Sequence, residues 1–325
     1  MSEQNSKRFL KIVADECARI VGNHMIPRVI ADELSIPKDK GGILFSEHPV
    51  ALAALPLAAY EATGGDDARD IAPAGAAIEF LLAAGDVLDD LQDNPMPPAA
   101  SGIVHAEYVR KTELVTALVL LSEHAILAIR SEKVPTARIL RVARIFSKLK
   151  CGAFTGQYDD AHATDSASTT PHQTLQRTQK KSGNLGKYAG ILGASLATDD
   201  EDSIELAAKL GTHLAMVYQL KNDIRDIWPD SGFLDDATTG KATSPTAFAL
   251  AIGEGEAGSS AVARLLENKV HSDSDVENAR NETFKSGGMH FAMIQAFAHL
   301  ARTNSIADQL ASKHQSPNVL TTLIS

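Results

Sequence analysis

Gly85-Asp86-Val87-Leu88-Asp89-Asp90-Leu91-Gln92-Asp93 closes a long apolar segment that begins near residue 70. The apolar residues ahead of it recur at spacings of three and four, which predicts a helix. On a helix Asp89 and Asp93 are four apart and share a face, with Asp86 one turn earlier. Like charges at that spacing repel by roughly a few tenths of a kcal/mol. Carboxylates at a helix C-terminus also oppose the macrodipole. A segment that accepts both penalties points to a bound cation.

The same periodicity runs outward through the chain. Apolar repeats of helical spacing cover about 7–35, 49–64, 70–93, 105–130, 134–160, 172–197, 201–228, 243–252, 258–269 and 288–312. Breaks fall at polar, Gly- and Pro-containing stretches such as 37–42, 94–98, 161–171 and 229–240. Alternating β-branched runs bounded by tight turns are nearly absent. The pattern predicts one all-α domain over 1–325, with helices around a common core.

A second acidic cluster, Tyr218-Gln219-Leu220-Lys221-Asn222-Asp223-Ile224-Arg225-Asp226, closes another apolar helix about 130 residues later. Asp223 and Asp226 are three apart and face the same way, and Asn222 can add a neutral oxygen. Two oxygen-rich helix ends suit a hard divalent cation. Magnesium takes oxygen ligands, keeps several waters, and is held by one or two carboxylates plus substrate phosphates.

Composition narrows the function classes. The chain has 325 residues, 44% of them apolar, enough to bury a sizeable core. A net charge of −10 argues against nucleic acid, which requires a basic face, and gives no attraction to anionic membranes. Cys17 and Cys151 are too few for a disulfide scaffold and fit a reducing compartment. The N-terminus shows no signal-peptide pattern. The apolar stretch 114–129, the expected maximum, is interrupted by Ser122, Glu123 and His124, which predicts no stable membrane insertion. The expectation is a cytoplasmic protein.

With both clusters in view, the chain resembles class I isoprenoid synthases of the polyprenyl synthetase family. Asp89-Asp90-Leu91-Gln92-Asp93 matches a DDxxD motif, and Asn222-Asp223-Ile224-Arg225-Asp226 a second one with Asn in its first place. Glu79, Gly156-Gln157-Tyr158-Asp159 (a GQxxD-like stretch), Lys181-Ser182, Gly193-Ala194, Tyr218-Gln219 and Asp236 to Pro245, with Lys241 and Thr243, follow in family order. The resemblance covers roughly 41–250. It implies an all-α isoprenoid synthase-type bundle around a deep central apolar cavity, with the acidic motifs at its mouth.

The resemblance also implies ligands. Asp89, Asp90 and Asp93 with Asn222, Asp223 and Asp226 would hold up to three Mg2+ ions, with Mn2+ as an alternative, on an allylic prenyl diphosphate. Lys181, Lys241 and Arg225 would supplement the metals, with Gln157 and Gln219 beside them. Ionising a C–O bond to diphosphate leaves concentrated negative charge, which metals and cations stabilise. Phe80, Ala84 and Gly85, before the first motif, would line the hydrocarbon pocket; the small pair implies a C15, C20 or longer substrate. Phe154, Tyr158, Tyr188, Tyr218 and Trp228 are further aromatic candidates for stabilising a cation. A homodimer is implied as well.

One part of the family pattern is missing. Members that elongate with isopentenyl diphosphate use a GGKxxRP segment, a His or Gln after the Glu, and an Arg pair after the first motif. Here Phe45 and His48, beside Glu47, occupy the Lys and Arg positions, Leu82 the His position, and Asn94-Pro95-Met96-Pro97-Pro98 follows Asp93. The nearest basic residues are Arg110 and Lys111, whose role stays open. Each lost charge-assisted bond to an anion costs on the order of 1.5–3 kcal/mol. The expectation is therefore a terpene synthase-type enzyme that ionises a prenyl diphosphate, releases diphosphate and lets the cation cyclise or be quenched. The alternatives are a polyprenyl or isoprenyl diphosphate synthase, or a prenyltransferase with another acceptor, and a non-catalytic partner subunit of a prenyl synthase.

Overall fold

The structure, a computed structural model, describes residues 2–23, 26–36, 43–44, 51–93, 102–130, 132–163, 168–227, 237, 239–253, 260–267, 272–315 and 320–323. The helices are α1 (Ser2–Val21), α2 (Arg28–Leu34), α3 (Ala51–Ala62), α4 (Ala72–Asp93), α5 (Gly102–Leu127), α6 (Thr136–Ala161), α7 (Pro171–Thr178), α8 (Asn184–Ala197), α9 (Glu201–Ile227), α10 (Ser244–Ile252), α11 (Ala261–Glu267), α12 (Asp273–Lys285) and α13 (Gly288–His314). Among the described residues there is no β-strand. The fold class is all-α, as the periodicity predicts.

Three elements differ from expectation. The first predicted helix is broken between Val21 and Arg28, where Pro27 serves as the N-cap of α2; proline is well suited to a helix start and costly in its interior. α12 was not anticipated, because DSDVENARNETFK is mostly polar and buries only Val276, Ala279, Arg280 and Thr283. Its local signal is the capping box, in which Ser272 and Asp275 bond each other's backbone N–H. Third, α7 runs into α8 through one wide π turn, Gln179–Gly183.

Chain contacts group into two compact units. The first comprises Met1–Gln157, Asn184–Thr212 and Thr303–Ser325; the second comprises Tyr158–Gly183 and His213–Arg302.

Within the first unit α4 packs against α1, α3 and α5, and α3 against α8. The first half of α4 is apolar except for Glu79, the mark of a largely buried helix: Ala74, Ala76, Ala77, Ile78 and Phe80 are fully buried. The segment Ala68–Gln92 is long and apolar enough to cross a membrane, but 67% of its most apolar window is buried inside the protein. A core helix passes the same test. The C-terminal carbonyls of α8, which lack helical donors, are met from α6: Arg141 Nη2 donates to Ser195 O at 2.6 Å and Thr198 O at 2.9 Å, and Arg138 Nη1 to Leu196 O at 3.3 Å.

The second unit has its own core, in which α10, α11 and α12 bury Leu250, Val262, Leu265, Val276 and Ala279 together with Ile227, the last residue of α9. Glu282 of α12 caps α11, its Oε1 accepting from Ser260 Oγ at 2.7 Å and its Oε2 from Ala261 N at 2.5 Å.

Gly193 shows how closely α8 and α3 approach. A Cβ built there would lie 2.0 Å from the Pro56 carbonyl oxygen, which is backbone and cannot swing away. Gly193→Ala should therefore lower stability by about 1–3 kcal/mol, the usual cost of overpacking. Gly85→Ala is the comparison, since a Cβ at Gly85 meets nothing within 4 Å. Denaturant unfolding of both variants checks this; equal midpoints would refute the close contact.

Candidate active site

The first acidic cluster ends α4, in the first unit. Gln157 of α6 is buried and its Nε2 donates to Asp89 Oδ1 and, at 2.6 Å, to Gln92 Oε1. One amide thus aims the Asp89 carboxylate. Asp90, one residue on, points elsewhere on the helix and pairs with Lys111 Nζ of α5. That hydrogen bond raises the Lys111 pKa, so its charge is secure. Lys111 also lies 3.6 Å from Glu107. Arg110 turns the other way and makes a fork with Glu33 of α2, at 2.5 and 2.7 Å. The structure thus separates two neighbours that the sequence left together. Asp93 is the last residue of α4.

Upstream on α4, Phe80 and Ala84 are buried, whereas Gly85 borders open space. Leu82 is half-buried. Phe45, Glu47, His48, Trp228 and Asp236 lie outside the described residues. Phe154 is 68% exposed in this chain, and Tyr158 stacks on His162 with ring centroids 4.1 Å apart. Their surroundings are not those of a pocket lining.

The second cluster ends α9, in the second unit. Asp223 is 3% exposed. Gln219 Nε2 donates to its Oδ1 at 3.1 Å and Ser244 N, at the start of α10, to its Oδ2 at 3.4 Å. Ser182 Oγ donates to Gln219 Oε1 at 3.2 Å, which fixes the amide orientation. Burial pushes the Asp223 pKa up to about 6. The two hydrogen bonds oppose this, and the neighbouring Asp226 and Asp160 charges add to it. Burial also raises Tyr218, to about 12. Asn222, Arg225 and Lys221 are exposed.

Lys181 and Lys241 converge on one carboxylate. Asp160 Oδ2 lies 2.9 Å from Lys181 Nζ and 3.7 Å from Lys241 Nζ. Lys181 sits in the π turn, a feature frequent at functional sites because it re-aims side chains. Asp160 was missed by the sequence reading, which stopped at Asp159. Counting GQxxD from Gly156 places the acid at 160, so the signal was one residue further along. Asp159 instead lies 3.8 Å from Lys180.

The sequence profile of the polyprenyl synthetase family matches residues 52–283. This chain belongs to the polyprenyl synthetase family. It is 27% identical over 228 residues to the nonaprenyl diphosphate synthase of Mycobacterium tuberculosis, covering 69% of this chain and 65% of that one. It is 28% identical over 253 residues to the geranylgeranyl diphosphate synthase of the same organism, covering 74% and 69%. The matches thus span about two thirds of the length of these curated relatives. In fold it is similar to the Caulobacter crescentus polyprenyl synthase complexed with calcium and isoprenyl diphosphate (TM-score 0.79, 17% identity, covering 99% and 94% of the two chains). The all-α isoprenoid synthase fold follows from that likeness.

For a polyprenyl synthetase the donor chemistry suits a hard cation. Among the described residues no three His, Cys, Asp or Glu side chains converge into a ready-made cage. A few carboxylates completed by substrate phosphates is the arrangement magnesium favours. A buried carboxylate with a raised pKa also fits, because a dication would supply the compensation that burial removed.

The sign of the Asp223 contribution is definite. Its folded pKa lies above the unfolded value, so the stability it lends is present below about pH 4 and lost as pH rises to about 6. The loss is on the order of 2–3 kcal/mol. Asp223→Asn has no charge to bury, and its amide oxygen can still accept from Gln219 Nε2. In chelator the variant should gain on the parent in Tm between pH 4 and 6 and keep that gain at pH 8. A gap in Tm that does not change with pH would refute the assignment.

Proposed function

We propose that this protein is a Mg2+-dependent class I isoprenoid synthase that transfers a prenyl group from an allylic diphosphate to an acceptor, in the manner of the isoprenyl diphosphate synthases it resembles. The observation that carries the reading is the family match over 52–283, which spans both acidic clusters. The relatives move the reading away from cyclisation, since their names are those of chain-building synthases. The absent acceptor-site residues had favoured the cyclase. Of that set only Leu82 is described; the substitutions at 45 and 48 lie outside the described residues.

In this reading Asp89, Asp90, Asp93, Asn222, Asp223 and Asp226 supply oxygens to the metal ions. Bound Mg2+ supplies Lewis-acid stabilisation of the departing diphosphate. Gln157 holds Asp89, and Gln219 holds Asp223, in orientations set before substrate arrives. Lys181 and Lys241 converge on Asp160; they and Arg225 take the diphosphate oxygens. Phe80 and Ala84 give the prenyl chain an apolar wall. The implied homodimer belongs to the same proposal, and the exposed Leu120 and Leu127 on α5 offer it apolar surface.

The test is incubation with C10, C15 and C20 diphosphates and Mg2+, with and without isopentenyl diphosphate. Longer diphosphates formed only with the second substrate are the expected result. Hydrocarbon or alcohol formed without it would return the assignment to cyclisation. Absence of diphosphate release in every arm would leave the partner-subunit reading.

Gly85 makes a separate prediction about chain length. Its open surroundings accept a larger side chain without disturbing the core. Gly85→Phe should shorten the longest product by at least one five-carbon unit while leaving the fold intact. An unchanged product distribution by mass spectrometry would place the prenyl chain elsewhere.

A further inference from the structure

Arg280 is a buried charge that the chemistry above does not use. It lies on α12, is 8% exposed, and shares the buried face of that helix with Val276, Ala279 and Thr283. Arginine is rarely buried without partners. Its Nε donates to the carbonyl oxygen of Ile227 at 3.1 Å. Its Nη1 lies 2.8 Å from Glu277, which is exposed at the surface and orients the guanidinium.

Ile227 is the last residue of α9, directly after Asp226 and one turn beyond Asp223. The last four carbonyls of a helix have no intrahelical donor. In α9 that unsatisfied turn is also the one that carries the acidic cluster, where carboxylates and the negative helix end repel. An uncapped turn there would fray and take the ligands with it. A cation at a helix C-terminus is the favourable partner for both charges. Ile227 is fully buried and shares a core with Val276 and Ala279, so its carbonyl is met by the Arg280 guanidinium at a buried position. In the first unit Arg138 and Arg141 close the end of α8 in a similar way, and both also pair at 2.8 Å with Asp199, two residues beyond that helix.

We propose that Arg280 is a positioning residue for the second acidic cluster: its guanidinium closes the C-terminal turn of α9 and so sets where Asp223 and Asp226 present their oxygens. The inference rests on the diphosphate reading above. It takes Arg280 as acting through the helix end, not as touching substrate. Partners that orient metal ligands from behind typically change metal affinity by about 10- to 100-fold when removed.

The test reads metal binding through stability, using inorganic pyrophosphate as the probe. Full-length wild type, Arg280→Met, Arg280→Lys and Glu277→Ala are titrated with Mg2+ at fixed pyrophosphate, and the Mg2+ concentration giving half the maximal Tm shift is recorded. Arg280→Met should need about tenfold more Mg2+. Arg280→Lys, which keeps the charge, should fall between it and wild type. Glu277→Ala, altered at the surface, should move the midpoint in the same direction by less. It decides the matter with Arg280→Lys should Arg280→Met fail to fold. A lower starting Tm with an unchanged or lower Mg2+ midpoint would show a merely structural tie and overturn the role of Arg280 alone. No pyrophosphate-dependent shift in wild type would overturn the diphosphate reading itself, and this inference with it.

Discussion

Carboxylates gathered at the negative ends of apolar helices set the terms for everything around them. Three of these acids are met by donors that hold them. Asp89 receives Gln157, Asp90 receives Lys111, and Asp223 receives Gln219 and the backbone of Ser244. Asp160, beside the second cluster, receives two lysines. A hydrogen bond in a folded protein is worth about 1 kcal/mol net, enough to offset a helix-face repulsion of roughly a few tenths of a kcal/mol but not the burial of Asp223. These contacts hold the oxygens in place while the charge remains available.

Asp223 shows which effect dominates. Two donors favour its ionised form, while burial and two neighbouring acids favour the neutral one. The balance falls on the side of burial. A protein selected for stability alone would have no reason to keep such a group, whereas a site that awaits a cation does. The lysines that share Asp160 follow the same logic with the opposite sign: in the proposed function their charge would pass from that carboxylate to a diphosphate.

The helical class and the two acidic helix ends were legible because both depend on local spacing. The period of apolar residues in α4 and α9 and the three- and four-residue offsets of their aspartates are properties of the chain itself. α12 was not legible by that route, since it buries a narrow face that includes an arginine. Asp160 was within reach of a careful count but carried no weight until Lys181 and Lys241 were seen to meet on it. The acceptor question shows the opposite case: residues missing from a pattern argue for a cyclase, and the family match over 52–283 with the curated synthases argues more strongly for the transfer proposed above.

By itself the sequence determined which groups are present and which of them share a helix face, because periodicity fixes both. Only tertiary structure decided which neighbours meet. Arg110 and Lys111 are adjacent in sequence yet point to Glu33 and Asp90, and Arg280 reaches the end of a helix more than fifty residues away. Side-chain direction on a helix turns by about a quarter of a circle per residue. Which of those directions finds a partner depends on the helices packed alongside, and no local pattern in the chain records that.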